Sequence, residues 1–298
     1  MSAAAIEAEN ITKTYRTGRH RSIEALRGLS FEVPAGSVFG LLGPNGAGKS
    51  TTTKILTTLS LPSSGTARVT GADVVRDAAT VRTRIGYVSQ GASTDPLLTV
   101  RENLELAARL RGMPRSEAAR RATRLVDEFG LRENVDRAAG KLSGGTRRRL
   151  DVATALVHAP RVLFLDEPTT GLDPESRAAM WGEIRRLAGQ ESLTVVLTTH
   201  YLEEADRLAD RIMIVDHGTK VVEGTPASSR RRSPETGCAS SSSNRMPNAR
   251  AVLPHPCWAC ARCSSRSRGR RPCSSHAPTT ARPRSARSSR RSMRRGSP

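Results

Sequence analysis

No cysteine occurs before residue 238; all five (Cys238, Cys257, Cys260, Cys263 and Cys273) lie in the last quarter of the chain. Residues 1–227 therefore have no thiols to pair, which excludes a disulfide-stapled secreted fold and fits a reducing compartment. Long hydrophobic runs are missing as well. Nowhere do about eighteen apolar residues follow one another, the length a membrane-spanning helix needs. The start, Met1-Ser2-Ala3-Ala4-Ala5-Ile6-Glu7, has no basic region ahead of an apolar one. The chain is expected neither to span a membrane nor to be exported.

Acidic residues nearly vanish beyond residue 227, where 17 Arg face one acid, Glu235. Of the 48 basic and 28 acidic residues, 31 and 27 lie in residues 1–227, an ordinary soluble balance. The basic excess of the whole chain is thus no property of the folded part, and nucleic acid is not an expected partner. Aliphatic residues are equally scarce at the end: Val252 and Leu253 are the only Leu, Ile, Val or Phe in 228–298, while Ser and Arg fill 34 of 71 positions. Such a stretch cannot offset the entropy of ordering itself, and a disordered, low-complexity basic tail is expected over 228–298. The spacing of Cys257, Cys260 and Cys263, with His255, Cys273 and His276 nearby, suits Zn²⁺ or an iron–sulfur cluster, but apolar packing for a small metal domain is lacking. A mixture of Arg, Ser, Pro, Ala and Cys is what GC-rich DNA yields out of frame, so the tail reads as frameshift-derived rather than as a basic arm for anionic lipid or nucleic acid.

What remains in 1–227 is an alternation of strand and helix signals. Ser37-Val38-Phe39-Gly40-Leu41-Leu42, Arg161 to Leu165, Leu193 to Leu197 and Arg211 to Val215 are short apolar runs, as expected for strands buried on both faces of a parallel sheet. From Val100 to about Val157 a helical period takes over, with Leu104, Ala107, Ala108 and Leu110 three and four residues apart. The fold class expected is α/β, with a mostly parallel sheet and an inserted helical lobe at about 91–157. In such sheets ligands bind beyond the carboxyl ends of the strands.

Directly after the first run comes Gly43-Pro44-Asn45-Gly46-Ala47-Gly48-Lys49-Ser50-Thr51, a G-x-x-x-x-G-K-[ST] phosphate loop leading into a helical segment. Its glycines let backbone N–H groups turn inward around phosphate oxygens. Lys49 brings a full positive charge, and Ser50 a hydroxyl for Mg²⁺. The run 162–165 ends in Asp166-Glu167, and hydrolysis of a nucleoside triphosphate needs two carboxylates there. Asp166 suits the metal shell and Glu167 the positioning of a water. Ser143 can cap a following helix while Gly144 and Gly145 permit close backbone approach, a second anion site at a helix N-terminus. Arg147, Arg148 and Arg149 read as a solvated helix face with no catalytic part.

Leu142-Ser143-Gly144-Gly145-Thr146, Leu163-Phe164-Leu165-Asp166-Glu167-Pro168 and Gly171-Leu172-Asp173 together resemble the ATP-binding cassette (ABC) ATPases, over about Ile6 to Ala227. Thr146 departs from the Gln that many members carry. The subgroup it is most similar to is the daunorubicin and multidrug-resistance export type. The resemblance implies a P-loop NTPase core with a small antiparallel β part, ATP and Mg²⁺ as ligands, and ATP hydrolysis. It also implies Tyr15 stacking on adenine, Gln90 as a sensor touching Mg²⁺ or water, and His200 as a switch at the γ phosphate. Ser143, Gly144, Gly145 and Asp173 would serve ATP held by a second copy in a head-to-tail sandwich dimer. A separate membrane permease would complete the transporter, placing the chain at the cytoplasmic face of the membrane. The rival reading, a cassette acting on ribosomes or nucleic acid, is opposed by the single compact cassette, and a binding module without turnover is opposed by Glu167.

Sequencing the gene tests the reading of the tail. An intact alternative frame after about codon 227, encoding a further charged helical segment, is the expected result.

Overall fold

The structure is a computed structural model that describes residues 4–16, 22–190 and 193–231. The order of elements is β1 (Ala4–Arg16), β2 (Ser22–Pro34), β3 (Val38–Leu42), α1 (Lys49–Leu56), β4 (Ser64–Val69), β5 (Ala72–Asp73), α2 (Ala78–Arg84) and β6 (Ile85–Val88). There follow α3 (Val100–Leu110), α4 (Arg115–Glu128), two 3₁₀ turns (Arg132–Asn134 and Ala139–Lys141) and α5 (Gly144–Ala155). The chain then returns through β7 (Val162–Asp166), α6 (Pro174–Gln190), β8 (Thr194–Thr199), α7 (Leu202–Leu208), β9 (Arg211–Asp216), β10 (Thr219–Gly224) and α8 (Pro226–Arg231). The four apolar runs are thus strands shifted by a residue or two, and the helix after the phosphate loop stops at Leu56.

Two sheets form. One is antiparallel, in the order β2-β1-β4-β5; the other has six strands, β10-β9-β3-β8-β7-β6, parallel from β9 to β6 with β10 antiparallel at the edge. The continuous apolar runs follow from burial on both faces. Val38, Leu42, Leu163, Leu165, Val195 and Leu197 face a core shared with α3, α4, α5 and α6. Their neighbours Phe39, Leu41, Val162, Phe164 and Val196 face a second core closed by the antiparallel sheet. There the Phe31 and Phe39 rings stack with centroids 5.6 Å apart. No helix among the described residues is long and apolar enough to cross a membrane.

The helical segment is held by local chemistry as well as burial. Thr99 and Glu102 form a reciprocal capping box at the start of α3. Asn103 donates to the carbonyls of Asp95, Leu98 and Thr99, fixing the turn that precedes it. α8 runs past the boundary expected at 227; the basic tail beyond Arg231, with its cysteine cluster and frameshift reading, lies outside the described residues.

His158, in the turn between α5 and β7, places Nε2 2.9 Å from the Ile85 carbonyl. Burial, and then the nearby Arg111 charge, hold its pKa below the ordinary 6.5. The unfolded chain accordingly takes up this proton first as pH falls. Its contribution to stability is full above pH 6.5 and is lost on acidification below it, with a slope of at most about 1.4 kcal/mol per pH unit. Denaturant titrations of His158→Gln are expected to show a flatter pH dependence than the unaltered protein between about pH 5 and 7, the range in which imidazole titrates.

Candidate functional site

Parallel register brings the ends of four strands to one edge. Leu42 pairs with Thr199, Asp166 with Thr198, and Val88 with Leu165. The phosphate loop after β3, the Asp166-Glu167 pair at the end of β7, Gln90 after β6 and His200 after β8 therefore converge without long loops to carry them.

Glycine is required where the loop leaves β3 and where it enters α1. A Cβ on Gly43 would sit 2.2 Å from the Val215 carbonyl oxygen. Gly48 has φ +109°, and a Cβ there would lie 2.8 Å from Ala25 O. No side chain caps α1 at Gly48, so its first N–H groups remain free to face an anion. Lys49 is 5% exposed, and its ammonium donates to the carbonyls of Gly43 (2.7 Å) and Pro44 (3.0 Å). Burial lowers its pKa, while the carboxylates of Glu167 and Asp166 act in the opposite direction. Ser50 Oγ donates to Asp166 Oδ1 at 3.2 Å, and Thr198 Oγ1 donates to the same oxygen at 2.5 Å. Asn45, Gly46, Lys49, Thr51, Gln90 and Glu167 are among the residues around a cavity of about 270 Å³.

Glu167 is the residue most constrained by its surroundings. Its φ is +48°, a left-handed conformation uncommon for a residue with a Cβ. The backbone is held there by its N–H, which reaches both the carbonyl (3.2 Å) and the hydroxyl (3.0 Å) of Thr198. The turn aims the carboxylate into the cavity. Oε2 accepts from Gln90 Nε2 at 3.0 Å and from Thr170 Oγ1 at 3.1 Å. His200 Nδ1 lies 3.3 Å from Oε1, close enough for an ion pair when the ring is protonated but without hydrogen-bond alignment. The His200 ring packs on Tyr201, with centroids 4.0 Å apart.

Other expected residues stand apart from the cavity. Ser143 caps α5, accepting from Thr146 N at 3.2 Å, and Thr146 fills the departed Gln position with a hydroxyl 2.8 Å from Ser143 Oγ. A Cβ on Gly145 would lie 2.5 Å from Ser176 Oγ, so the glycine allows α5 to sit against the start of α6. Asp173 precedes that helix, accepting from Ser176 N at 2.9 Å, and this bond holds its carboxyl below the usual carboxylate range. Neither Ser143, Gly144 and Gly145 nor Asp173 lines the phosphate cavity. Tyr15 lies on β1, paired with Ile23 on β2, under the Lys13 ammonium at 5.0 Å from the ring centroid; it also stands outside that cavity.

The solvated arginine run needs correction. Arg148 is 8% exposed and points inward, because α5 buries the face that carries Arg148, Asp151 and Val152. Its guanidinium donates from Nη1 to Ser89 O (2.7 Å), from Nε to Pro168 O (3.0 Å) and from Nη2 to Asp166 O (3.1 Å) and Glu167 O (3.4 Å). Burial opposes its charge, and the carboxylates of Asp151, Asp166 and Glu204 compensate. Arg147 is half-buried and donates to the carbonyls of Ala139 and Gly140. A period count over three consecutive arginines could not separate the inward member. The acid one turn later, Asp151, was the available signal. Thr198 and Thr170 were also missed, since a threonine at a strand end or in a turn carries no chemical signature of its own.

A doubly packed, mostly parallel sheet with a glycine-rich anion loop opening α1, and an acidic pair at the neighbouring strand end, defines a P-loop nucleotide-binding cassette. The family described as ABC transporter matches residues 26–170. The chain is 52% identical over 221 residues to the daunorubicin/doxorubicin resistance ATP-binding protein DrrA of Streptomyces peucetius, a match over 74% of this chain and 65% of that protein. It is 49% identical over 226 residues to the daunorubicin resistance ATP-binding protein DrrA2 of Streptomyces coeruleorubidus, covering 76% of this chain and 68% of that one. In three dimensions it is similar to the dimeric ATP-binding cassette MJ0796 bound to ADP and Pi, with a TM-score of 0.67 at 29% identity over 74% of this chain and 98% of that chain. The chain belongs to the ABC transporter family of ATP-binding proteins, and it spans 65% of the length of the first of these relatives.

Lys49→Ala removes the one full positive charge of the phosphate loop. Titration with a fluorescent ATP analogue is expected to show affinity reduced by at least about tenfold, a loss of some 1.4 kcal/mol, with the melting temperature little changed.

Proposed function

We propose that the chain binds and hydrolyses ATP and that this turnover drives export of a drug-like or other small compound through a separate membrane permease. The observation that carries the proposal is the Glu167 carboxylate, aimed at the phosphate-loop cavity and held there by Gln90, Thr170 and the strained turn on Thr198.

The mechanism follows from the charges. The β and γ phosphates would enter the loop Gly43 to Thr51, where free N–H groups and the Lys49 ammonium meet the negative charge that grows on the γ phosphate. Lys49 would exchange its carbonyl partners for phosphate oxygens. Adenine would stack on Tyr15. The donor set Ser50, Asp166 and Gln90 fits Mg²⁺: all are hard oxygens, and Ser50 and Asp166 already lie within hydrogen-bond distance. Few protein ligands are needed, because this ion keeps waters and phosphate oxygens as its other partners. When bound, Mg²⁺ neutralises charge on the phosphates. Glu167 would accept the proton of the attacking water as general base, and His200 would hold the water and the γ phosphate in line.

A second copy is needed because Ser143, Gly144, Gly145 and Asp173 stand outside the cavity in their own chain. Placed against a partner's ATP in a head-to-tail sandwich, the N-terminus of α5 at Gly144 and Gly145 would face the γ phosphate. The dimeric state of the MJ0796 cassette supports this arrangement. Export is supported by the resistance proteins among the relatives. The permease would keep the chain at the cytoplasmic face of the membrane, with the helical segment around Gln90 to Val157 passing on the motion.

Glu167→Gln tests the reading, since the amide keeps the shape and removes the base. Turnover is expected to fall by about 10²- to 10⁴-fold, the usual worth of a general base. Light scattering should meanwhile show an ATP-dependent dimer that persists. Undiminished turnover in the Gln variant would remove Glu167 from the mechanism.

A further inference from the structure

The segment that carries Gln90 is anchored at both ends by one face of one helix. At its start, Ser89 O accepts from Arg148 Nη1 at 2.7 Å. At its end, Ser93 N (3.0 Å) and Thr94 Oγ1 (3.2 Å) donate to Asp151 Oδ1. Arg148 and Asp151 are one turn apart on α5, and both are buried, at 8% and 3% exposure. Between the anchors Gln90, Gly91 and Ala92 are exposed, and a Cβ on Gly91 would meet nothing within 4 Å.

The same guanidinium reaches the other side of the site. Its Nε and Nη2 donate to the carbonyls of Asp166, Glu167 and Pro168, the turn in which Glu167 is held at positive φ. All three nitrogens of Arg148 are thus occupied by backbone carbonyls from two separate strand ends. An ammonium cannot reproduce this planar fork. Nothing in phosphate binding requires it, because Lys49 and the N-terminus of α1 do that work from the opposite side of the cavity.

We infer that Arg148 and Asp151 form a strap that sets Gln90 and Glu167 relative to each other and ties both to α5, the helix that begins at Ser143, Gly144 and Gly145. Arg148 is a positioning residue: it acts on backbone, and through that backbone on the Gln90 to Glu167 contact of 3.0 Å. A displacement of α5, such as closure of its N-terminus on a partner's nucleotide, moves both ends of the 89–94 segment and the 166–168 turn together. The inference rests on the ATPase reading and adds to it a route from the dimer contact to the base.

Arg148→Lys keeps the buried positive charge that faces Asp151, Asp166 and Glu204 and removes the fork. In the full chain, kcat for ATP is expected to fall by about 10- to 100-fold, as for a reacting group displaced by about 1 Å, with the affinity for a fluorescent ATP analogue within about threefold of the unaltered protein, under 0.7 kcal/mol. A double-mutant cycle with Gln90→Ala separates positioning from scaffolding. The doubly altered chain should lose little more than the worse single variant, because both changes break one contact. If Arg148→Lys does not fold, Asp151→Ala, which removes the acceptor for Ser93 N and Thr94 Oγ1, takes its place and is read in the same way. Effects that multiply in the cycle, a kcat within twofold of the original, or a loss of ATP affinity that tracks the loss of turnover would overturn the strap while leaving the ATPase reading intact. Absence of turnover in the unaltered chain overturns both.

Discussion

In-register parallel pairing of β3, β8, β7 and β6 is the constraint on which the site depends. Each of these strands is followed by a charged or polar group: the loop with Lys49, His200, the Asp166-Glu167 pair and Gln90. Because the strands end level, the groups meet within hydrogen-bond distances on short connections. The pairing is itself secured by the alternation of inward residues along each strand. A slip of one residue would exchange the two buried faces and set Phe39 and Phe164 against the helices instead of the antiparallel sheet.

Charge is arranged around that edge in two tiers. Lys49 and the open N-terminus of α1 bring positive charge to the cavity and Glu167 negative charge, with Asp166 close enough to act on Lys49. Behind the carboxylates stands Arg148, buried and surrounded by Asp151, Asp166 and Glu204. A guanidinium in such a place compensates acidic groups that would otherwise be costly to hold together, and it donates to carbonyls at two strand ends. Thr198 has a related double duty, donating to Asp166 and accepting from the Glu167 backbone.

The second glycine-bearing helix start lies outside the phosphate-loop cavity. The Ser143 cap and its two glycines present a helix N-terminus away from the chain's own cavity, packed on the start of α6 next to Asp173. Within one copy this geometry caps α5 and lets it sit close against α6. From the same helix, Arg148 and Asp151 bond to the segment that carries Gln90 and to the turn that carries Glu167.

The sequence by itself determined a good deal. Apolar runs located the buried strands to within a residue or two, and the phosphate loop with the acidic pair pointed to a nucleotide-binding cassette, because glycine spacing and a Lys-Ser pair have few other uses. What the sequence could not supply was direction and distance. Arg148 read as solvated because three arginines in succession spread over more than half the circumference of a helix; only the packing of α5 decided which one turns inward. The left-handed turn at Glu167 and its support by Thr198 have no pattern in one dimension, since they depend on a strand 31 residues away. Periodicity and motif spacing are local properties that a chain carries unfolded, whereas the aim of a carboxylate is set by neighbours that only folding brings together.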